Sequence, residues 1–163
     1  QGINTAPVDD EGIMMQKTPM IERGILKNFF YDTYTAKKDG TKSTGNAQRG
    51  SFRATPLPGA TNILVEPGEK TQKDLIGEKR SGLYVTDLMG MHTANPISGD
   101  FSVGASGIWI ENGELTKPVR SIAIAGNWQD LLLAIDAIGS DLRWLGGIGA
   151  PSISFSELNL SGN

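Results

Sequence analysis

An Asn-Gly pair at positions 112–113 is the feature that most narrows the folds open to this sequence. The pair lies in the segment GIWIENGELTKPV, between an extended apolar run at 108–111 and another that begins at Leu115. Asn-Gly is the favoured sequence of a type I′ turn, which joins two antiparallel strands and needs a positive φ at both of its residues. The sequence therefore predicts a two-residue β-hairpin with Asn112 and Gly113 both at positive φ.

Other extended segments surround this hairpin. The segments at 25–36 and 82–90 are rich in β-branched and aromatic residues, and 61–68 has the composition of a short strand that ends at a Pro-Gly turn. The tail beyond position 150 alternates apolar residues with serines and predicts a final strand. Between these segments, 37–60 is polar and interrupted by Gly and Pro, so we expect a long loop there.

Two segments carry helix signals instead. At 127–138, apolar residues recur at helical spacing, Asn127 stands at the N-cap position, and Gly139 follows the last apolar residue. At 71–79, Thr71 is placed to cap a shorter helix. We therefore predict an α+β fold, predominantly antiparallel β in a sheet or barrel-like arrangement, with one helix at 127–138 and a short helix near 71–79.

Composition and charge narrow the classes of function. The 163 residues show no break in composition, so 1–163 are expected to form a single domain. The net charge of −3 argues against direct binding of nucleic acid, which needs clustered Lys and Arg. The chain has no apolar run of the ~18 residues that span a bilayer and no signal-peptide pattern, so we expect a cytoplasmic protein without a membrane partner. A first residue of Gln1 instead of Met is typical of a processed product or a fragment.

The stretch at 91–114 holds the residue types of a serine triad. Ser106 is close in sequence to His92 and Asp100. A nucleophile elbow, however, needs a strand, a sharp turn and a helix, with Gly two positions after the Ser. Here Ile108 takes that position and Ser106 leads into the hairpin strand. Small residues that permit a tight bend explain the pattern better, so we expect no catalytic residue in this chain.

The same stretch lacks the pattern of a zinc site. His92 is the only histidine, its acidic neighbours in sequence are Asp87, Asp100 and Glu111, and the chain has no cysteine. Zinc sites ordinarily use three or four ligands, commonly two His in H-E-x-x-H spacing or His together with Cys. Neither pattern occurs, so we expect no metal ligand and no cofactor in this chain.

Seven motif blocks, taken in order, carry a family resemblance. They are DDEG at 9–12, STGNAQR at 43–49, TNILVEPG at 61–68, GLYVTDLMG at 82–90, HTANPISGDFSVGASGIWIENGE at 92–114, PVRSIAIAGN at 118–127 and AIGSDL at 137–142. Together they resemble the C-terminal domain of the TldD/PmbA family. The blocks GLYVTDLMG and GASGIWIENGE are most similar to the PmbA branch, which is also called TldE.

This resemblance implies a function and a missing domain. The family is known as cytoplasmic zinc metallopeptidases that act on unfolded peptides as a two-subunit assembly, and also as modulators of DNA gyrase. In the TldD branch an H-E-x-x-x-H helix and a later cysteine bind the metal. The PmbA branch lacks them, as does this chain. The resemblance also implies that the family's N-terminal α/β domain is absent from this chain.

The resulting hypothesis is a non-catalytic PmbA/TldE-type subunit, with zinc held by a TldD-type partner and an unfolded peptide as substrate. Its partner is a TldD-like subunit or a second copy of itself. His92, Asn95, Asp100 and Ser102 are expected to be polar groups of a cavity or a subunit contact. Two alternatives stay open: the C-terminal domain of an active zinc metallopeptidase whose ligands lie upstream, and a regulatory protein that modulates DNA gyrase.

Overall fold

The computed structural model describes residues 2–162 and contains mostly short strands. The strands are β1 Ile21–Glu22, β2 Ile25–Leu26, β3 Ala47–Gln48, β4 Leu57–Pro58, β5 Ile63–Leu64, β6 Ser81–Met89, β7 Asp100–Glu111, β8 Glu114–Asn127, β9 Ile135–Ile138, β10 Arg143–Leu145, β11 Ile148–Ala150, β12 Ile153–Phe155 and β13 Asn159–Ser161. The α-helices are α1 Thr33–Lys38, α2 Gln72–Gly77 and α3 Trp128–Leu133, and a 3₁₀ turn spans Met91–Thr93. None of the described helices is long and apolar enough to cross a membrane.

Contacts within the chain divide it into two compact units. One contains the residues up to Val65 together with Arg143–Ala150, and the other contains Glu66–Leu142 together with the residues from Pro151 onward. The first unit holds three small sheets: β1–β2, β3–β4 and β10–β11–β5. The second unit holds the β12–β9 pair and a four-stranded sheet in the order β13–β8–β7–β6.

In the first unit a buried carboxylate joins two of the motif blocks. Asp9 is only 8% exposed, and one of its oxygens accepts hydrogen bonds from the backbone N–H groups of Glu11 and Ile13, at 3.0 and 2.9 Å. The other oxygen accepts from the backbone N–H of Ala47 at 3.0 Å. The 9–12 and 43–49 blocks therefore meet because one side chain satisfies backbone donors from both.

The strand predicted at 25–36 is wrong over most of its length. Only β2 at its start is extended, and α1 begins at Thr33. Asp32 caps this helix: its carboxylate accepts from the backbone N–H of Thr35 at 2.7 Å, and the Thr35 hydroxyl oxygen accepts from the backbone N–H of Asp32 at 3.2 Å. This reciprocal capping stabilises the first turn and overrides the β propensity of the neighbouring aromatic residues.

In the second unit the predicted hairpin is confirmed. β7 and β8 pair antiparallel up to Glu111 opposite Glu114, and the connecting residues Asn112 and Gly113 have φ of 50° and 82°. β6 pairs antiparallel with the other side of β7. The strand predicted at 82–90 therefore forms the edge of the four-stranded sheet.

One face of this sheet forms the apolar core of the second unit. Its buried side chains come from alternate positions of β7 and β8: Phe101, Val103, Ala105, Ile122 and Ile124. Side chains of β6, α3 and the tail pack against them, including those of Leu83, Leu131 and Leu158. Over 100–107 of β7 the period of two thus buries every second residue, as expected for a half-buried strand.

The helix predicted at 127–138 is correct at its start and wrong at its end. Asn127 caps α3 through a bond from the backbone N–H of Gln129, but the helix stops at Leu133, and the remaining residues form β9. β9 pairs with β12, and Gly139 follows the strand instead of capping a helix. A short apolar run is compatible with the period of a helix and with that of a strand. Here the pairing with β12, a strand distant in sequence, makes 135–138 a strand.

The short helix predicted near 71–79 is confirmed as α2. The Thr71 hydroxyl accepts from the Asp74 N–H, and the Asp74 carboxylate accepts from the Thr71 N–H at 2.9 Å. Across residues 2–162 the sheets are mostly antiparallel, no barrel closes, and β5–β11 is a parallel pair. The α+β class predicted from the sequence is confirmed.

Candidate interaction site at the 91–100 loop

The stretch singled out from the sequence forms the connection between two adjacent strands. β6 ends at Met89, Gly90 turns the chain with φ of 83°, and the 3₁₀ turn Met91–Thr93 follows. The chain then continues through 94–99 into β7. We refer to residues 91–100 as the braced loop.

Hydrogen bonds within the braced loop close it on itself. The backbone N–H of Asn95 donates to the carbonyl of Asp100, and the N–H of Gly99 donates to the carbonyl of Asn95, both at 2.9 Å. The Asn95 side-chain oxygen accepts from the N–H groups of Ile97 and Ser98, at 2.8 and 3.2 Å. Asn95 therefore folds the tip of the loop into an Asx turn.

Asn127 ties the loop to the junction of β8 and α3. Its side-chain NH₂ donates to the Ser98 carbonyl at 2.9 Å and to the Asp100 carboxylate at 3.0 Å. Its side-chain oxygen accepts from the backbone N–H of Gln129 at 2.9 Å. One amide thus caps a helix and holds a loop, although the sequence indicated only the cap.

The tip of the braced loop carries an exposed apolar side chain. Ile97 is 95% exposed, although its own backbone N–H is held by Asn95. Met91 is also exposed. At the base of the loop, the rings of Phe101 and Trp128 contact each other in a tilted arrangement, with their centroids 5.0 Å apart. The backbone at Ile97 is fixed by a hydrogen bond while its apolar side chain is exposed. Such a loop is suited to contact another protein surface, because binding costs little conformational entropy when the loop is already ordered.

The four residues predicted for a cavity or a subunit contact divide into two pairs. Asn95 and Asp100 belong to the bracing network described above. His92 lies exposed on the 3₁₀ turn, and the Ser102 side chain is exposed on β7. The Ser102 carbonyl accepts from the Thr93 hydroxyl at 3.3 Å, so Ser102 contributes only backbone to the loop contacts. Whether any of the four contacts a partner stays a prediction.

The geometry does not assemble a triad. Within residues 2–162, no hydrogen bond joins Ser106 to His92 or His92 to Asp100. Ser106 lies within β7 and pairs with Asp87 of β6, next to a bulge at Thr86, whereas a nucleophilic serine of the elbow type lies on a sharp turn between a strand and a helix. Nor do the described residues contain a group of three or more His, Cys, Asp or Glu side chains able to hold a metal ion.

Hydrogen bonding also sets the electrostatics of the loop. The pKa of Asp100 lies below its ordinary value, first because the Asn127 side chain donates to its carboxylate and second because of Ser98. A carboxylate with a lowered pKa stabilises the folded state above its unfolded pKa of about 3.9, and that contribution is lost as pH falls through the folded pKa.

Asn127→Asp should therefore weaken the brace while keeping the helix cap. The new carboxylate still accepts from Gln129, but it cannot donate to Ser98 or Asp100, and it places a second negative charge beside Asp100. We expect the Asp100 pKa to rise and the amides of the loop to exchange faster at neutral pH. Titration of the side-chain carboxyls by NMR, with hydrogen exchange, measures both.

Asp130→Asn is the matched control, because it changes the charge in the first turn of α3 without altering any described bond to Asp100. It should leave the Asp100 pKa close to that of the unmodified protein. An unchanged Asp100 pKa in Asn127→Asp would contradict the role assigned to the amide.

Known proteins are similar to this chain over nearly its full length. The sequence model of the PmbA/TldA metallopeptidase C-terminal domain matches residues 1–162. A metalloprotease PmbA homolog of Haemophilus influenzae is 38% identical over 162 residues, which are 98% of this chain and 33% of the relative.

Two solved structures are similar as well. One is a proposed modulator of a DNA gyrase from Thermotoga maritima, with a TM-score of 0.89 and 38% identity over 98% of this chain and 36% of that protein. The other is TldE from Thermococcus kodakarensis, with a TM-score of 0.87 and 33% identity over 96% of this chain and 36% of that protein. The chain thus spans about a third of the length of these relatives. The chain belongs to the PmbA/TldD metallopeptidase family and corresponds to its C-terminal domain.

Proposed function

We propose that this chain is the C-terminal domain of a non-catalytic, PmbA/TldE-type subunit in a cytoplasmic metallopeptidase assembly that acts on unfolded peptides. The observation that carries the proposal is a family match over residues 1–162 in a chain with one histidine and no cysteine. Since the chain spans about a third of its relatives, the activity of the whole protein is part of the proposal.

The donor side chains of the chain do not fit a zinc site. A catalytic zinc ion takes three protein ligands, mostly His with Cys or a carboxylate, and leaves one position open. The single imidazole of His92 is exposed, and within residues 2–162 it has no second and third donor grouped with it. We therefore assign zinc to a TldD-type partner.

The contribution of this domain is then to hold and position a partner subunit or a substrate. A sheet with a buried face, a helix cap and a braced loop presents Ile97 on a fixed backbone. Such surfaces keep a partner or a substrate in register, and a misplacement of about 1 Å in an active site can lower a rate roughly 100-fold. A subunit without ligands of its own can therefore control the activity of its partner.

Reconstitution tests the proposal directly. The full-length product of the gene should not cleave an unfolded peptide alone and should contain no stoichiometric zinc after dialysis. It should support turnover when mixed with a TldD-type subunit. His92→Ala and Asp100→Ala should lower either that turnover or the association by roughly 10- to 100-fold, because the first removes an exposed ring from the surface of the braced loop and the second removes a carboxylate that holds the loop in place.

Glu69→Ala is the matched control, since Glu69 is also exposed in the second unit but lies outside the loop. Unchanged turnover and unchanged association in both loop variants would remove the loop from the function. Cleavage by the protein alone, with about one zinc per chain, would instead favour an active metallopeptidase whose ligands lie upstream.

The description of the Thermotoga relative supports one further candidate, a regulator of DNA gyrase. Affinity purification of the full-length protein separates this role from the assembly. Recovery of gyrase in stoichiometric amount, without a TldD-like chain, would favour the regulator over the proposed subunit.

A further inference from the structure

The turn of the β7–β8 hairpin is held by a third segment of the chain. The two strands pair only up to the residues that flank the turn, so the ladder provides no acceptor for the N–H groups of Asn112 and Gly113. Instead, the Asn112 N–H donates to the Arg80 carbonyl at 2.7 Å, and the Gly113 N–H donates to the Lys79 carbonyl at 2.8 Å. Both acceptors lie in the connection between α2 and β6. We refer to residues 77–80 as the clamp.

The clamp also packs closely against the glycine of the turn. A Cβ added at Gly113 would lie 2.7 Å from the carbonyl oxygen of Gly77, at the end of α2. The backbone of the clamp therefore lies directly against Gly113, and a residue with a side chain does not fit there. The side chain of Asn112, by contrast, is exposed.

Lys79 fixes the clamp to the rest of the second unit. Its N–H donates to the Ile76 carbonyl at 3.0 Å. Its ammonium group forms an ion pair with Asp136 of β9 at 2.5 Å and donates to the Phe155 carbonyl of β12 at 3.4 Å. The side chains of this ion pair are 26% and 37% exposed, so solvent ions screen the pair less than they screen a fully exposed one. The Lys79 side chain therefore anchors the carbonyl that holds Gly113.

The held turn is also the part of the sequence most prone to deamidation. Asn112-Gly113 is the one Asn-Gly pair in the 163 residues. In deamidation, the backbone nitrogen that follows an asparagine attacks the carbonyl carbon of the asparagine side chain. Glycine in the second position makes the attack fastest, because it has no side chain to hinder it. The attacking nitrogen must first lose its proton and then approach the side chain.

We propose that Asn112 is a deamidation site which the clamp keeps closed, so that opening of the clamp sets the rate of the reaction. While the Gly113 N–H donates to the Lys79 carbonyl, base cannot remove its proton. A hydrogen-bonded amide loses its proton to solvent only in states in which the bond is locally opened. The same opening releases the turn, which allows the Gly113 nitrogen to reach the Asn112 side chain.

The reaction needs water and no other reactant. The Gly113 nitrogen forms a bond to the side-chain carbonyl carbon of Asn112, and the bond from that carbon to the side-chain nitrogen breaks. Ammonia leaves and carries the proton that the Gly113 nitrogen gave up. Water then hydrolyses the cyclic imide at one of its two carbonyls. The product is either aspartate or isoaspartate, in which the main chain runs through the former side chain.

Either product weakens the hairpin. The new carboxylate lies between Glu111 and Glu114 in sequence, so three negative charges adjoin one turn. Isoaspartate also adds a carbon atom to the main chain, which does not fit a two-residue turn with φ of 50° and 82°. Because β7 and β8 provide the buried side chains of the second unit, the clamp protects the register of its core sheet.

This inference does not rest on the proposed function. Its two measurements are the chemical state of Asn112 and the exchange rate of the Gly113 amide, and neither requires a peptidase assay. A failure of the inference is therefore distinguishable from a failure of the proposed function.

Peptide mapping by mass spectrometry tests the closed state. The full-length product is incubated at mildly alkaline pH, once folded and once in guanidinium chloride, in which the hairpin is unfolded. Asn112 should deamidate at least about tenfold more slowly in the folded protein, because only the opened clamp permits the reaction. Hydrogen exchange of the Gly113 amide should be slowed in the same sample, since it depends on the same opening.

Lys79→Ala tests the anchor of the clamp. Loss of the ammonium group should speed both the deamidation of Asn112 and the exchange of the Gly113 amide by roughly threefold, and by the same factor. Asp136→Asn breaks the same ion pair from the other side and should change both rates in the same direction. Lys73→Ala is the matched control, because Lys73 is an exposed lysine of α2 outside the clamp, and it should change neither rate.

Three outcomes would overturn the inference. The first is equal deamidation of Asn112 in the folded and the unfolded protein. The second is a Lys79→Ala variant in which the Gly113 amide exchanges faster but Asn112 deamidates no faster, because the hydrogen bond would then not control the reaction. The third is an equal acceleration by Lys73→Ala, which would show that the effect does not come from the anchor.

Discussion

Gly107→Ala is expected to lower the stability of the β6–β7 pair by about 2–3 kcal/mol. A Cβ added at this glycine would overlap the carbonyl oxygen of Tyr84 on the neighbouring strand, which belongs to rigid backbone. Its other contact, the Leu83 side chain, lies on the same strand at 3.1 Å. The two strands must therefore separate to admit a methyl group. Native-state hydrogen exchange of the β6 and β7 amides reports this as a smaller free energy of opening.

Gly104→Ala in the same strand is the matched control. A Cβ there would meet Met89 at 3.6 Å, an ordinary contact, and alanine restricts the unfolded chain more than glycine does. This variant should be neutral or slightly stabilising. Equal opening free energies for the two variants would show that the close approach at Gly107 does not determine the strand spacing.

Gly107 also shows where sequence reasoning works and where it stops. The sequence predicted that the small residues at 104–107 permit a tight bend before the hairpin strand, whereas they lie inside β7, where Gly107 lets the backbone of a neighbouring strand come close. The sequence did not say which strand approaches. That information lies in the β6–β7 register, which depends on residues more than twenty positions away.

Secondary-structure elements that are determined by interactions between residues close in sequence were predictable. The hairpin at Asn112–Gly113 and α2 were both correct, because a turn pair and a capping box act within a few residues. β9 was missed because its strand character comes from pairing with β12, a contact that no local period encodes. α1 was missed because Asp32 and Thr35 cap each other inside a segment whose composition favours strand.

In the candidate site, too, the residues with local hydrogen bonds were predictable from the sequence, whereas contacts between distant residues were not. Asn95 and Asp100 were identified from the sequence, and both belong to the brace. Asn127 was identified only as a cap, because its bonds to the loop span 27 and 29 residues. Ile97 was missed, although the Asn-Pro dipeptide before it and the Ser-Gly pair after it are signals of an exposed turn.

Asp9→Ala is expected to destabilise the first unit by about 3–5 kcal/mol, because it removes one carboxylate and leaves the backbone N–H groups of Glu11, Ile13 and Ala47 without their acceptor. The three bonds are 2.9–3.0 Å long, and Asp9 is buried, so water cannot readily replace the lost oxygens. Hydrogen exchange of these three amides in the full-length protein should accelerate together, since one side chain holds all of them.

Asp10→Ala separates the buried carboxylate from an ordinary acidic residue. Asp10 is exposed, and its side chain accepts one described bond, from the Arg49 N–H at 2.7 Å. Its loss should cost about 1 kcal/mol or less and leave the Ile13 and Ala47 amides protected. Asp9→Asn should resemble Asp9→Ala more than it resembles the unmodified protein, because one of the two accepting oxygens becomes an NH₂ that faces a backbone donor. If Asp9→Asn retained full protection at all three amides, the carboxylate would not be what joins the 9–12 and 43–49 segments.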